Sequence, residues 1–154
     1  MPDMTSTQSM FDAAVAKHQA GDIGAAAQLY RAIIDIEPDN AEALHMLGII
    51  AQQRQNPELA LRLMDAALAK NPNLALAWCN RATILRALNR RDEALQSAEK
   101  AIAIDPTMAD GWDMAGSLLR EQDKLQESLA HHARAIELQP ENLRYRSNYT
   151  VLLL

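Results

Sequence analysis

Residues 75–106 read ALAWCNRATILRALNRRDEALQSAEKAIAIDP, and the landmarks of this stretch recur on both sides of it at one interval. The proline is the clearest of them. Pro38, Pro72, Pro106 and Pro140 stand 34 residues apart each time. A fixed period of roughly 20–50 residues marks a repeat array in which each unit is one supersecondary element. Aligned on the prolines, the chain divides into repeats at 7–40, 41–74, 75–108 and 109–142, with 143–154 as an additional helix that caps the array or begins a truncated fifth repeat. Residues 1–6 are polar and aperiodic and read as a flexible lead-in.

Other positions keep the same phase. Position 4 of the repeat is Met10, Leu44, Trp78 and Trp112; position 8 is Ala14, Gly48, Ala82 and Gly116; position 20 is Ala26, Ala60, Ala94 and Ser128. Position 27 reads Ile33, Ala67, Ala101 and Ala135, and position 24 reads Tyr30, Met64, Ala98 and His132. Two helices of about a dozen residues approach closely only where one presents Gly, Ala or Ser to the other, and a bulky anchor beside that contact fixes the crossing. One such unit buries too little apolar surface to fold alone, so the units stack and share their stability.

This set of residues resembles the tetratricopeptide repeat (TPR), whose pattern is a Trp, a Leu-Gly pair, a Tyr, two spaced Ala around a ring, and a closing Pro. The resemblance covers nearly the whole chain. It implies an all-α fold, a right-handed TPR superhelix in which antiparallel helix pairs form an α-solenoid. The first repeat departs most, with Lys17 at position 11 and Ala13 at position 7.

Helix signals agree with that reading. In the first repeat, helix A is expected over about Ser9 to Ala20, capped by Ser9 or Thr7 and stopped by Gly21. Helix B is expected over about Ala25 to Glu37, ended by Pro38. In the second, Asn56 and Pro57 form a cap and a first helical position, which puts the turn at residues 54–56. Arg90 and Arg91 are read as the turn of the third repeat, before Asp92 and Glu93 at the positive end of its second helix. The fourth turns at residues 122–124 and resumes at Leu125.

Composition narrows the function classes. A formal net charge of −5 argues against a nucleic-acid footprint. Cys79 is the sole cysteine, so no internal disulfide is available and a reducing compartment is expected. No stretch has the shape of a signal peptide or a membrane span, and the expectation is a cytoplasmic protein without membrane contact. No phosphate loop, HExxH or Cys-x-x-Cys occurs. His131 and His132 point about 100° apart on a helix, and no carboxylate or Cys completes a shell around His18 and His45. No catalytic residue, metal or cofactor is therefore expected, and the chain is not read as an enzyme.

The resemblance implies instead a groove lined by positions 2, 5, 6, 9, 12 and 13 of each first helix. From the first two repeats these supply Phe11, Asp12, Val15, His18, His45, Met46, Ile49 and Gln53. The third gives Leu76, Cys79, Asn80, Thr83 and Arg86. The fourth gives Asp110, Asp113, Met114, Ser117 and Arg120, and Arg144, Ser147 and Asn148 follow. Phe11, Val15, His45, Met46, Ile49, Leu76, Asn80, Thr83, Arg86, Asp113, Ser117, Arg120 and Asn148 are the candidate peptide contacts. Apolar anchors would supply affinity, and amides such as that of Asn80 would hold a peptide backbone.

The carboxylate clamp of chaperone co-factor TPR domains is absent. A weaker resemblance links WCNRATILRALNRRDEAL to the TPR region of O-linked N-acetylglucosamine transferases, whose position-6 asparagine ladder Asn80 and Asn148 match; Asp12, Met46 and Met114 do not.

The expected function is a non-catalytic protein–protein interaction scaffold holding a peptide or partner helix. The alternative is the substrate-recruiting region of a larger enzyme such as a glycosyltransferase. The apolar run Val151 to Leu154 suggests a fragment of a longer protein, or self-association through the last helix.

Overall fold

A computed structural model describes residues 6–154; most of the lead-in assigned to 1–6 lies outside them. Nine helices occur among the described residues: α1 (Thr7–Gln19), α2 (Ile23–Ile36), α3 (Ala41–Gln53), α4 (Pro57–Lys70), α5 (Ala75–Ala87), α6 (Arg91–Ile104), α7 (Ala109–Glu121), α8 (Leu125–Leu138) and α9 (Leu143–Val151). The fold is all-α, as the periodicity requires. Each odd-numbered helix begins 34 residues after the previous one, and so does each even-numbered helix.

The local chemistry of the ends accounts for this regularity. Glu37, Asn71, Asp105 and Gln139 close α2, α4, α6 and α8, with ψ between 77° and 95°. Each precedes one of the four periodic prolines, whose ring excludes the α conformation from the residue before it. Each pair turns through a residue with positive φ: Gly21 at 82°, Gln55 at 57°, Asn89 at 60° and Asp123 at 60°. The amide of the next residue then bonds back five positions, as from Asn56 to the Ala51 carbonyl at 2.9 Å. This closes the exposed carbonyls of the ending helix.

Side-chain caps differ from the expectations in two places. Ser6, not Ser9 or Thr7, caps α1, its Oγ accepting from the Ser9 amide at 3.1 Å. Two extra residues therefore enter the helix. Arg91 is the first residue of α6 and not part of the turn, and Arg90 stands at the cap position without a side-chain bond to the helix amides. Asp22 and Asn56 do cap α2 and α4, at 3.1 Å each.

The chain forms two compact units, Met1–Pro72 and Asn73–Leu154. In the first, α1 packs on α2, α2 on α3 and α3 on α4. Its core gathers Ala14, Ala26, Tyr30, Ile33, Ala43, Leu47 and Ile50, with the Phe11 ring edge-on to Tyr30 at 5.5 Å. In the second, α5 to α8 pack in sequence, α5 also meets α7, and α9 closes against α7 and α8. Tyr145 of α9 is completely buried with Ala109 and Ala135, beside Trp112, Ile136 and Leu138. The Trp112 indole N–H donates to the Pro106 carbonyl at 2.9 Å, tying an anchor of one repeat to the proline of the preceding one.

The turns offer a direct test. Gln55 adopts a left-handed conformation that glycine takes without penalty. Lys124 stands at the start of α8 with no side-chain cap. Gln55→Gly and Lys124→Asn should each raise stability by about 0.5–1 kcal/mol. Urea midpoints of the single and double variants check both the size and the additivity.

Candidate interaction surface

Within Asn73–Leu154, a pocket of about 210 Å³ opens on the face made by α5, α7 and α9. Leu76, Cys79, Asn80 and Thr83 line it from α5, Asp110, Asp113 and Met114 from α7, and Arg144 from α9. Residues three and four apart share a helix face, so each stripe follows from the sequence once helicity is granted. Leu76 is 52% exposed, whereas Cys79 and Asp113 are buried. Burial pushes the Cys79 thiol up to about 11, the Asp110 and Asp113 carboxylates reinforcing it and Arg144 opposing it. The sulfur is thus held as a thiol at neutral pH, unsuited to nucleophilic chemistry.

Asp113 organises the polar side of the pocket. It accepts from His132 Nδ1 at 2.9 Å and from Asn148 Nδ2 at 2.9 and 3.2 Å. The ring must donate from Nδ1, since an ionised carboxylate can only accept. Burial alone would raise the Asp113 pKa, but the bonds from His132 and Asn148, with the nearby Arg144 guanidinium, outweigh it and hold the carboxyl below its ordinary range. Asp110 accepts from the Tyr145 hydroxyl at 2.7 Å and pairs with Arg144. Burial and that bond push the Tyr145 phenol up to about 12.

Behind this network the His132 ring is fully buried against the backbone of α7. A methyl group added at Gly116 would lie 2.9 Å from His132 Nε2. Ser128 donates to the Gly116 carbonyl at 2.6 Å. The equivalent glycine in the other unit, Gly48, faces the Met64 side chain, whose terminal methyl would be 3.0 Å away.

Comparisons with known proteins agree with this geometry. Two family models, both described as Tetratricopeptide repeat, match residues 17–79 and 75–108, which together span more than half of the chain. The chain belongs to the tetratricopeptide repeat family. No curated protein matches it in sequence. Among solved structures, MamA from Desulfovibrio magneticus RS-1 is 19% identical with a TM-score of 0.83, covering 99% of this chain and 85% of that one. Pseudomonas aeruginosa pilF is 20% identical with a TM-score of 0.88, over 96% of this chain and 67% of that one. A thermophilic TPR protein of Thermus thermophilus is 22% identical with a TM-score of 0.79, over 97% and 82%. At these identities the likeness concerns the fold. TPR proteins are in general non-catalytic scaffolds for protein–protein interaction.

The candidate TPR groove residues fall into distinct groups. Leu76, Asn80, Thr83 and Asp113 meet at the pocket. Arg86 does not line it; its Nε donates to Glu121 Oε1 at 2.7 Å. Ser117 is buried, Arg120 is part-buried, and neither lines the pocket. Asn148 directs its amide to Asp113, so this rung of the asparagine ladder is engaged within the protein. In Met1–Pro72, Phe11 and Met46 pack on the core and Val15 and Ile49 are half-buried. His45 is buried there, and that burial pushes its pKa down.

One rule was not anticipated. Within each unit, several polar bonds between the first helices of successive repeats join a position in one TPR to the next position in the following one, whereas Arg144 and Asp110 share one position. His18 meets Gln53 at 3.0 Å, Arg86 meets Glu121, Asp110 meets Tyr145, and Asp113 meets Asn148, each 35 residues apart. Opposite or complementary groups at that separation were the readable signal. Among the described residues, no cluster of three His, Cys, Asp or Glu could hold a metal ion, and no helix is long and apolar enough to cross a membrane.

The two glycines should respond differently to alanine. Gly116→Ala should destabilise by about 2 kcal/mol or more, because the buried, anchored imidazole cannot retreat. Gly48→Ala should stay within about 1 kcal/mol of the parent, since a thioether rearranges and alanine favours helix. Urea unfolding separates the two.

Asp113 makes a pH-dependent contribution. Its folded-state pKa is depressed, so that contribution is complete above the unfolded value of about 3.9 and is lost as pH falls through the folded value. Asp113→Asn should cost about 1–3 kcal/mol at neutral pH and flatten the loss of stability below about pH 4. Urea midpoints measured down to about pH 2 provide the check.

Proposed function

We propose that this chain is a non-catalytic interaction scaffold that holds an extended peptide on the face formed by α5, α7 and α9. The observation that carries the reading is the pocket between the position-2, -5, -6 and -9 side chains of α5 and the matching positions of α7. Leu76 and Met114 offer apolar contact, while Asn80, Thr83 and the carboxylates of Asp110 and Asp113 make its lining polar elsewhere. An aliphatic side chain would enter against Leu76 and Met114, and the peptide backbone would meet the polar rim. Because Asp110, Asp113 and Arg144 are already joined through α7 and α9, the rim is preorganised, which lowers the entropic cost of binding.

The test is selection of displayed peptides on the full chain, followed by binding to Leu76→Asp/Met114→Lys. Both substituted side chains lie at the pocket surface, so helicity should be unchanged. Affinity for groove peptides should fall by about tenfold or more, measured by fluorescence polarisation. Equal binding to the parent and the double variant would remove the reading.

A further inference from the structure

A second crevice, of about 360 Å³, lies within Met1–Pro72 between α2, α3 and α4. Its floor is Leu47, Ile50 and Ala51, continuous with the core through Leu63, and its rim carries Arg31, Arg54 and Asn56. No acidic residue lines it. Among the described residues, neither guanidinium is engaged in an ion pair; those pairs are made by other cations. Asn56 accepts the Leu59 amide with its Oδ1, which leaves Nδ2 as a donor. The rim therefore presents donors to an apolar cleft, and it does so on a chain with 20 acidic and 15 basic residues. Such a local reversal of sign selects an anion that the rest of the surface repels.

We propose that this crevice is a docking site for a segment of another protein in which an aliphatic or aromatic side chain lies within two residues of Asp or Glu. The apolar side chain covers Leu59 and Leu63, which are only half-buried. The carboxylate takes the fork of one or both guanidinium groups, a geometry that favours Arg over Lys. A volume of this size holds one large side chain with its flanking backbone. The site is independent of the groove reading. Leu47, Ile50 and the capping Arg54 centre about 100° around α3 from Met46 and Ile49, at 100° per residue, so one helix presents two different surfaces.

The experiment uses displayed dodecapeptides selected on the full chain, with three arms: the parent, Arg31→Glu/Arg54→Glu, and Arg31→Lys/Arg54→Lys. The expected result is a peptide class combining Leu, Ile or Phe with a nearby Asp or Glu. Synthetic members should bind the Glu variant at least about tenfold more weakly and the Lys variant at an intermediate level. Circular dichroism and urea midpoints should be unchanged, since both arginines are exposed. Raising NaCl from about 50 to 500 mM should weaken binding several-fold. The inference is overturned if no acidic-apolar class emerges, or if its members bind the Glu variant as they bind the parent. It is also overturned if their binding is lost only in Leu76→Asp/Met114→Lys, because the peptides then belong to the α5–α7–α9 face. Displacement of the peptides by dodecanoate with retention of dodecanoate binding in the Glu variant would likewise place recognition in the apolar cleft alone.

Discussion

Everything in these helix pairs depends on a small residue where two helices meet. Ala14, Ala26, Ala60, Ala82, Ala94 and Ser128 are completely buried, and Gly48 and Gly116 complete the set. Close approach leaves the position-24 side chains Tyr30, Met64, Ala98 and His132 completely buried. In the fourth repeat that side chain is His132, on the backbone at Gly116. A Cβ there would displace the ring and, through it, Asp113. The α5–α7–α9 pocket is thus coupled to a contact inside the helix pair, and Asp113, which lines it, owes its position to a glycine on the same helix.

The second constraint is the repeat interval itself. Because successive helices of one kind begin 34 residues apart, a side chain meets the same or the next position of the following repeat. Asp113 and Asn148, or Arg86 and Glu121, are partners because that interval brings complementary groups together. These bonds consume much of the polar capacity that a list of groove positions would assign to a ligand. On the two proposed surfaces a partner would meet the apolar contact of Leu76 and Met114 with the organised carboxylate rim, and, on different helices, the donor-rich crevice at Arg31 and Arg54.

Much of the fold was legible beforehand. Pre-proline geometry, the Asn56–Pro57 start and the small positions are local or periodic signals, and local sterics determine them. The errors at Ser6 and Arg91 are equally physical. Several polar residues compete to cap a helix end, and the winner depends on where the chain enters. The site was less legible. Periodicity placed Asn148 and Arg86 on the same face as Leu76, yet which of them faces a ligand depends on pairings between separate helices.

By itself the sequence determined the all-α repeat, the helix boundaries to within a few residues, and the small positions at which paired helices meet. These follow from bonds and contacts between residues close along the chain or related by a constant interval. Only the tertiary structure decided that His132 is locked onto Asp113, that Tyr145 seals the last helix, and that Arg31 of α2 and Arg54 at the end of α3 share one apolar crevice. Those facts are set by the side-chain directions of packed helices, which no single segment encodes.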